Sequence, residues 1–293
     1  MSSKTSESAG GAPAAAAGAR HAAPHVRIRS EDSGVQLNLG ELWEFRELLY
    51  FLTLRDIKVR YKQTLMGAAW VLVQPLATML IFTLVFTRFA RLDAGPVPYP
   101  LFAYSGLLVW NFFSGAVTSG TNSLTSNTHL VTKVYFPKMF VPAAAAGAGL
   151  VDFGVGSILL ALLAAYYRVE VTWQLLLLPF FVVLATALAL GAGMLVSALT
   201  VKYRDLRHAL PFALQFWMFA SPVLYPSDIV PASWRWILVV NPMAGVLEGF
   251  RSSLTGRPLD WAPIAFSAAF SAALLSLAFY VFRRLEDTFA DVL

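Results

Sequence analysis

Arg55, Lys58, Arg60 and Lys62 place four cations within eight positions of the stretch RDIKVRYKQTLMG, which then turns apolar. Guanidinium and ammonium groups at this density suit the phosphate oxygens of lipid headgroups. They fit an anchor on a membrane surface and, equally, a surface on which a partner pushes. A second pattern is neutral. Asn111, Ser114, Thr118, Asn122 and Thr125 recur at three- and four-residue steps, which puts them on one helix face. Such a stripe lines a hydrated path or bonds helix to helix. Asp152, in GLVDFGVG, is the one acid deep inside an apolar run. Buried there, a carboxylate is either functional or paired within the bundle.

Other chemistry is excluded by what the chain lacks. It carries no G-x-x-x-x-G-K-[ST], no G-x-S-x-G and no H-E-x-x-H. Its cysteine count is zero, which removes disulfides, thiolate metal sites and cysteine nucleophiles. The four histidines are scattered, and no pair has ligand spacing on one helix face. Hydroxyls and amides bind but do not readily cleave, so no catalytic residue, metal site or cofactor is expected in this chain. The net charge of +5 follows membrane topology and is not a nucleic-acid signature.

The elements that must hold these residues are membrane helices. The chain is 57% hydrophobic and only 13% charged, against about a quarter charged in soluble domains, and its mean hydropathy is +0.62. Six segments reach the ~20 apolar residues a crossing needs: 67–87, 99–119, 139–167, 173–199, 209–225 and 262–282. With the amino terminus in the cytoplasm, sixteen of the 22 lysines and arginines fall inside and six outside. The positive-inside rule therefore places both termini in the cytoplasm. Residues 1–39, rich in Ala, Gly and Ser, predict a disordered cytoplasmic tail, with 40–293 as the membrane domain.

The stretch before the first span predicts an amphipathic interfacial helix. Glu44, Glu47, Arg55, Lys58 and Lys62 share one arc and Leu42, Phe45, Leu49, Leu52 and Ile57 the other. Arg46, Asp56 and Arg60 interrupt the apolar face. Residues 225–256 are too apolar for a solvated loop and too broken by Pro226, Pro231 and Pro242 for one crossing. A re-entrant helix pair or a compact external cap meets those constraints. Aromatic residues, 14% of the chain, gather towards the external ends. Trp110, Phe113, Trp217 and Tyr225 fit an interfacial belt and core, or a channel wall on which sugar rings stack.

Several stretches together resemble a known family: LRDIKVRYKQTLMGAAWVLVQPLATMLIFTLVF, VPYPLFAYSGLLVWNFFS, SNTHLVTKVYFPK, VKYRDLRHALPFALQFWMFASPVLYP and NPMAGVLEGFR. In that order, from about residue 40 to 290, they are similar to the permease subunits of type 2 ABC exporters of polysaccharides, above all those of O-antigen and teichoic acid. The resemblance implies an all-α membrane protein of six spans, with an interfacial gate helix before the first and re-entrant helices between the fifth and sixth. It implies a homodimer in a bacterial cytoplasmic (inner) membrane, docked on two copies of a separate ABC ATPase that binds ATP and Mg. The substrate implied is a glycan on a polyprenyl diphosphate lipid. Arg55, Lys58, Arg60 and Lys62 would meet its headgroup. Lys133, Tyr135, Phe136 and Lys138, with Tyr203, Arg204, Asp205 and Arg207, would meet the ATPase. Asn111, Ser114, Thr118 and Asn122, with the four aromatics, would line the channel. An exporter of a drug or small lipid shares the six spans, and a membrane-embedded glycosyl-lipid enzyme is the reading from another class.

Overall fold

The computed structural model describes residues 39–62, 69–89 and 97–292. The expected tail, Leu39 apart, lies outside these residues. Among them there is no strand. The elements are α1 (Leu39–Glu44), α2 (Arg46–Lys62), α3 (Ala69–Thr83), α4 (Tyr99–Ser126), α5 (Thr128–Lys133) and α6 (Phe140–Tyr166). Then come α7 (Leu178–Lys202), α8 (Leu206–Ala220), α9 (Arg235–Val240), α10 (Pro242–Thr255) and α11 (Trp261–Val292). An all-helical answer follows from the solvent. Backbone N–H and C=O groups in an apolar phase must be satisfied within their own segment.

Five helical stretches among the described residues are long and apolar enough to cross a membrane: Ala69–Thr87, Tyr99–Ser126, Phe140–Tyr166, Trp173–Lys202 and Trp261–Glu286. They coincide with five of the six expected spans. The fifth expected span, 209–225, is the departure. Its helix α8 has 15 residues and carries Pro211 inside, about 22 Å at 1.5 Å per residue against a hydrocarbon layer of ~30 Å.

The path of the chain is nevertheless clear. Val201 at the end of α7 shares one apolar cluster with Leu52, Leu124, Phe140, Phe282 and Phe289. The start of α11 lies at the other end, where Gly245 of α10 approaches Pro263 and Ser267, and Gly249 approaches Phe181 at the start of α7. Between Lys202 and Trp261 the chain therefore passes from one end of the bundle to the other, through α8 and the Pro-rich turns after it. Leu52 and Phe289 belong to the same cluster, so both ends of the described chain lie at one end of the bundle.

α4 is the mast. In its most apolar stretch 78% of residues are buried, against 11–33% in the other four. Small residues let neighbours close in on it, as membrane packing requires. Gly156 of α6 faces Leu108, and a Cβ there would lie 2.5 Å from Leu108 Cδ1. Beside it, Tyr104 donates its hydroxyl to the Gly156 carbonyl at 2.9 Å. Gly120 and Gly193 bring α4 and α7 together, a Cβ on Gly120 lying 3.4 Å from Gly193 Cα.

The helix expected at the interface packs lengthwise against α6. Thr53 lies against Gly147, and Arg60 and Tyr61 reach Asp152. From Thr53 to Arg60 α2 advances about 10 Å, while α6 advances about 8 Å from Gly147 to Asp152. Phe45, Leu48, Leu49 and Leu52 cover the apolar cluster, as their spacing predicts.

Where a re-entrant pair was expected, α9 and α10 meet at Asn241–Pro242. Asn241 caps α10 by accepting from Met243 N at 3.0 Å and accepts from Trp217 Nε1 at 2.9 Å. Its amide donates to the Ala220 carbonyl and to Ser221 Oγ. One side chain thus fixes the end of α8 to the start of α10. Asn241→Ala should lower stability by ~1–3 kcal/mol, the cost of orphaning several buried polar groups. The reading is a reduced thermal midpoint of the detergent-solubilised protein by size exclusion, and an unchanged midpoint would show that these bonds do not hold the two helices.

Candidate functional site

The four cations of α2 divide between two faces. Arg55, Lys58 and Lys62 share one side, with Phe51, Leu54 and Val59 between them, and form a shallow groove of about 480 Å3. Lys58 and Lys62 are exposed. Arg55 donates to Asp56 Oδ1 from Nε at 3.1 Å and from Nη2 at 2.8 Å. Arg60 lies about 140° around the helix from Arg55 and turns inward.

There Arg60 Nη1 pairs with Asp152 Oδ2, and Tyr61 donates its hydroxyl to Asp152 Oδ1. Both carboxylate oxygens are engaged. Burial, then the bond to Asp152, push the Tyr61 phenol up to about 12, so it remains a donor across the ordinary pH range. This accounts for two oddities of the sequence at once. Arg60 breaks the apolar face of α2 because it faces Asp152, and Asp152 stands about halfway along α6 because it faces Arg60.

The pair closes one side of a cleft of about 390 Å3 between α3, α4 and α6. Asn111, Ser114 and Thr118 line it from α4, Trp70 and Gln74 from α3. Asn111 and Gln74 are exposed, and among the described residues their amides have no hydrogen-bond partner. Ser114 Oγ donates to the Asn111 carbonyl at 3.4 Å, and the lower half of the stripe is held in the same way. Asn122 Nδ2 donates to the Thr118 carbonyl at 3.0 Å and Thr125 Oγ1 to the Asn122 carbonyl at 3.0 Å, so these side chains turn back on their own helix.

The four aromatics proposed for a channel wall do not join this cleft. Trp110 and Phe113 are 4% and 0% exposed. They pack edge-on against Trp217, with ring centroids 6.4 and 5.1 Å away. Trp217 is the residue bonded to Asn241. Tyr225 is half-buried and donates to the Phe219 carbonyl at 3.1 Å. On an α4 already buried on most sides, Trp110 and Phe113 face the core while Asn111 and Ser114 face the cleft.

At the end of the bundle that holds both described termini, two short segments stand out. Thr132, Lys133, Val134 and Tyr135 are exposed, Tyr135 by 89%. Lys202, Tyr203, Arg204 and Asp205 are exposed as well. Of the remaining residues expected at a partner surface, Phe136 and Lys138 brace the first segment. Phe136 is buried in the apolar cluster. Lys138 donates from its backbone N to Glu286 Oε1 at 2.7 Å and from Nζ to the Glu286 carbonyl at 2.8 Å. Arg207 is half-buried, and its Nε has no hydrogen-bond partner among the described residues.

The opposite end holds a residue that the charge count treated as a loop cation. Arg251 of α10 is 8% exposed. It donates to the Pro222 and Val223 carbonyls and lies 3.7 Å from the centroid of the Phe102 ring. Gly106 of α4 leaves room for it, since a Cβ there would meet both Arg251 Nη2 and the Val223 carbonyl. Burial raises the pKa of Glu248, one turn before it, against the opposing pull of Ser227 and Arg251. The Glu-x-x-Arg spacing in NPMAGVLEGFR was the visible signal, because a helix brings residues three apart onto one face.

Comparison with known proteins comes to the same region of the chain. The family described as ABC-2 type transporter matches residues 47–255. The chain is 32% identical over 255 residues to an O-antigen export system permease protein of Myxococcus xanthus, covering 86% of this chain and 97% of that protein. A permease of the same description from Klebsiella pneumoniae is 27% identical over 264 residues, 88% and 98% of the two chains. A polysialic acid transport protein of Escherichia coli is 21% identical over 247 residues, 80% and 92%.

A double-mutant cycle on Arg60 and Asp152 tests the junction of α2 and α6. Each alanine variant should destabilise the solubilised protein, and the double variant by less than the sum. The coupling should be ~1 kcal/mol, modest because both side chains are partly exposed. Additive effects would mean that the pair does not act as a unit.

Proposed function

This chain belongs to the ABC-2 type transporter membrane family, and from that premise we propose that it is the membrane-spanning permease of an exporter that moves a lipid-linked, O-antigen-like polysaccharide across a bacterial cytoplasmic membrane. The observation that carries the reading is the near end-to-end match with an O-antigen export permease. The site agrees with it in kind. The exposed groups on α2 and in the cleft include cations suited to phosphate oxygens and hydroxyl- or amide-bearing side chains, as a glycan on a diphosphate requires. A protein without a nucleotide cradle needs a separate motor. We place two ATPase subunits, which bind ATP and Mg, on the cytoplasmic end of a homodimer, since two motors closing across a two-fold axis act on two permease copies.

In this account both termini are cytoplasmic, and α8 with the turns after it forms the remaining crossing. The exposed segments 132–135 and 202–205 receive the motion of the ATPases. Phe136 and Lys138 fix the first segment to the end of α11, so a push on Tyr135 is passed to a span and not lost in a loose loop. The row Arg55, Lys58 and Lys62, on the face of α2 turned away from Arg60, attracts the substrate diphosphate out of the headgroup layer. The polar side of α4 serves the glycan path. Coupling of this kind requires two states with different contacts at both ends.

Three outcomes check the proposal. Replacing Tyr135 and Tyr203 together by Ala should abolish copurification of the ATPase while the permease still inserts and dimerises; an intact complex would place the motor elsewhere. Changing Arg55, Lys58 and Lys62 together to Ala should cut surface polysaccharide at least tenfold with the complex assembled, a loss of more than 1.4 kcal/mol in substrate engagement. Normal surface polysaccharide would remove the row from the substrate path. A strain lacking the chain that kept its polysaccharide but became sensitive to an antibiotic would favour a small-molecule exporter.

A further inference from the structure

We propose that the cleft between α3, α4 and α6 binds the sugar–phosphate junction of the substrate, and that the Arg60–Asp152 pair is a latch that a phosphate opens. This deepens, and rests on, the export reading. The cleft has the composition that a sugar carrying an anion calls for. Asn111 and Gln74 offer amides without partners among the described residues, Thr118 offers a hydroxyl and Ser114 an acceptor oxygen, and the exposed indole of Trp70 offers a flat apolar surface. Arg60 supplies the cation. At about 390 Å3 the cleft falls within the ~300–1,000 Å3 range of small-molecule sites.

The latch follows from charge. Arg60 is held by Asp152, and a guanidinium pairs at least as well with a phosphate as with a carboxylate. An entering phosphate offers Arg60 a second anion. Carboxylate and phosphate repel if both remain, so occupancy favours release of Asp152. Tyr61 stays behind as the donor to Asp152, which keeps the freed carboxylate bonded. The Arg60–Asp152 bond is one of the ties between α2 and α6. Substrate entry therefore loosens the helix that carries Arg55, Lys58 and Lys62. The device reports an occupied site to the cation row and, through α2, to the cytoplasmic cluster around Leu52.

The test uses the permease–ATPase complex in nanodiscs of phosphatidylethanolamine and phosphatidylglycerol. Equilibrium binding is measured for farnesyl diphosphate N-acetylglucosamine, farnesyl diphosphate and inorganic pyrophosphate. Asp152→Asn removes the competing anion and should tighten both farnesyl probes about tenfold, whereas Arg60→Gln should weaken them by about tenfold or more, the range of one charge-assisted bond. Arg60→Lys, which keeps the charge but loses the planar fork, should fall between. Asn111→Ala with Thr118→Ala should weaken the sugar-bearing probe and leave farnesyl diphosphate unchanged. Weak binding of pyrophosphate alone assigns the site to the lipid-linked form; pyrophosphate binding as tight as the farnesyl probes would overturn that assignment.

The latch is overturned if Asp152→Asn weakens binding as Arg60→Gln does, because Asp152 then only positions Arg60. The sugar site is overturned if the α4 variants affect both farnesyl probes alike. Variants that all bind as the unaltered protein does overturn both. Deletion of the chain tests the export reading separately. Lost surface polysaccharide together with a failed binding pattern sinks the cleft alone, and retained polysaccharide sinks the export reading whatever the probes do.

Discussion

A charge or hydrogen-bonding group in an apolar phase needs a partner, and the placement of partners organises this molecule. Three polar knots occur at successive levels along the central helix α4. At one end Lys138 binds Glu286 and fixes the segment before α6 to α11. Midway, Arg60 and Tyr61 bind Asp152 and hold α2 to α6. At the other end Arg251 binds two carbonyls in the turn after α8 and lies on Phe102 of α4. Each knot joins elements distant in sequence. Apolar packing alone distinguishes poorly between helix registers in lipid, because tails are as apolar as leucine. The knots supply the register.

What remains after the knots are satisfied is the working inventory. Lys58 and Lys62, the segments 132–135 and 202–205, and the side chains of Gln74 and Asn111 are exposed. They fall into three groups: cations on the outer face of α2, two pads at one end and a polar cleft between α3, α4 and α6. A passive conduit driven from one end needs these parts and no catalytic centre.

Much of this was legible in the sequence. Five of the long helices were visible as continuous apolar runs, because a crossing leaves a length signature that little else imitates. The stripe Asn111, Ser114 and Thr118 was visible from its spacing. Asp152 was visible as an anomaly, but its partner, 92 residues away, was not, since no local pattern encodes a contact between α2 and α6. In retrospect the interruption of the apolar face at Arg60 was half of that information. At the fifth expected span a 15-residue helix is followed by a Pro-rich turn, and a hydropathy window reads the two as one run. Trp110 and Phe113 were assigned by residue type, yet position on α4 decides. They face the rings of Trp217, whereas their neighbours Asn111 and Ser114 face the cleft.

The central claim is that this chain conducts a glycan but has no engine of its own. The direct measurement is reconstitution into proteoliposomes with a partner ABC ATPase, followed by the appearance of lipid-linked glycan on the far side of the bilayer. The account predicts translocation that needs both proteins and ATP, with no nucleotide hydrolysis by the permease alone. Glycan movement or ATP turnover by the permease without its partner would contradict it.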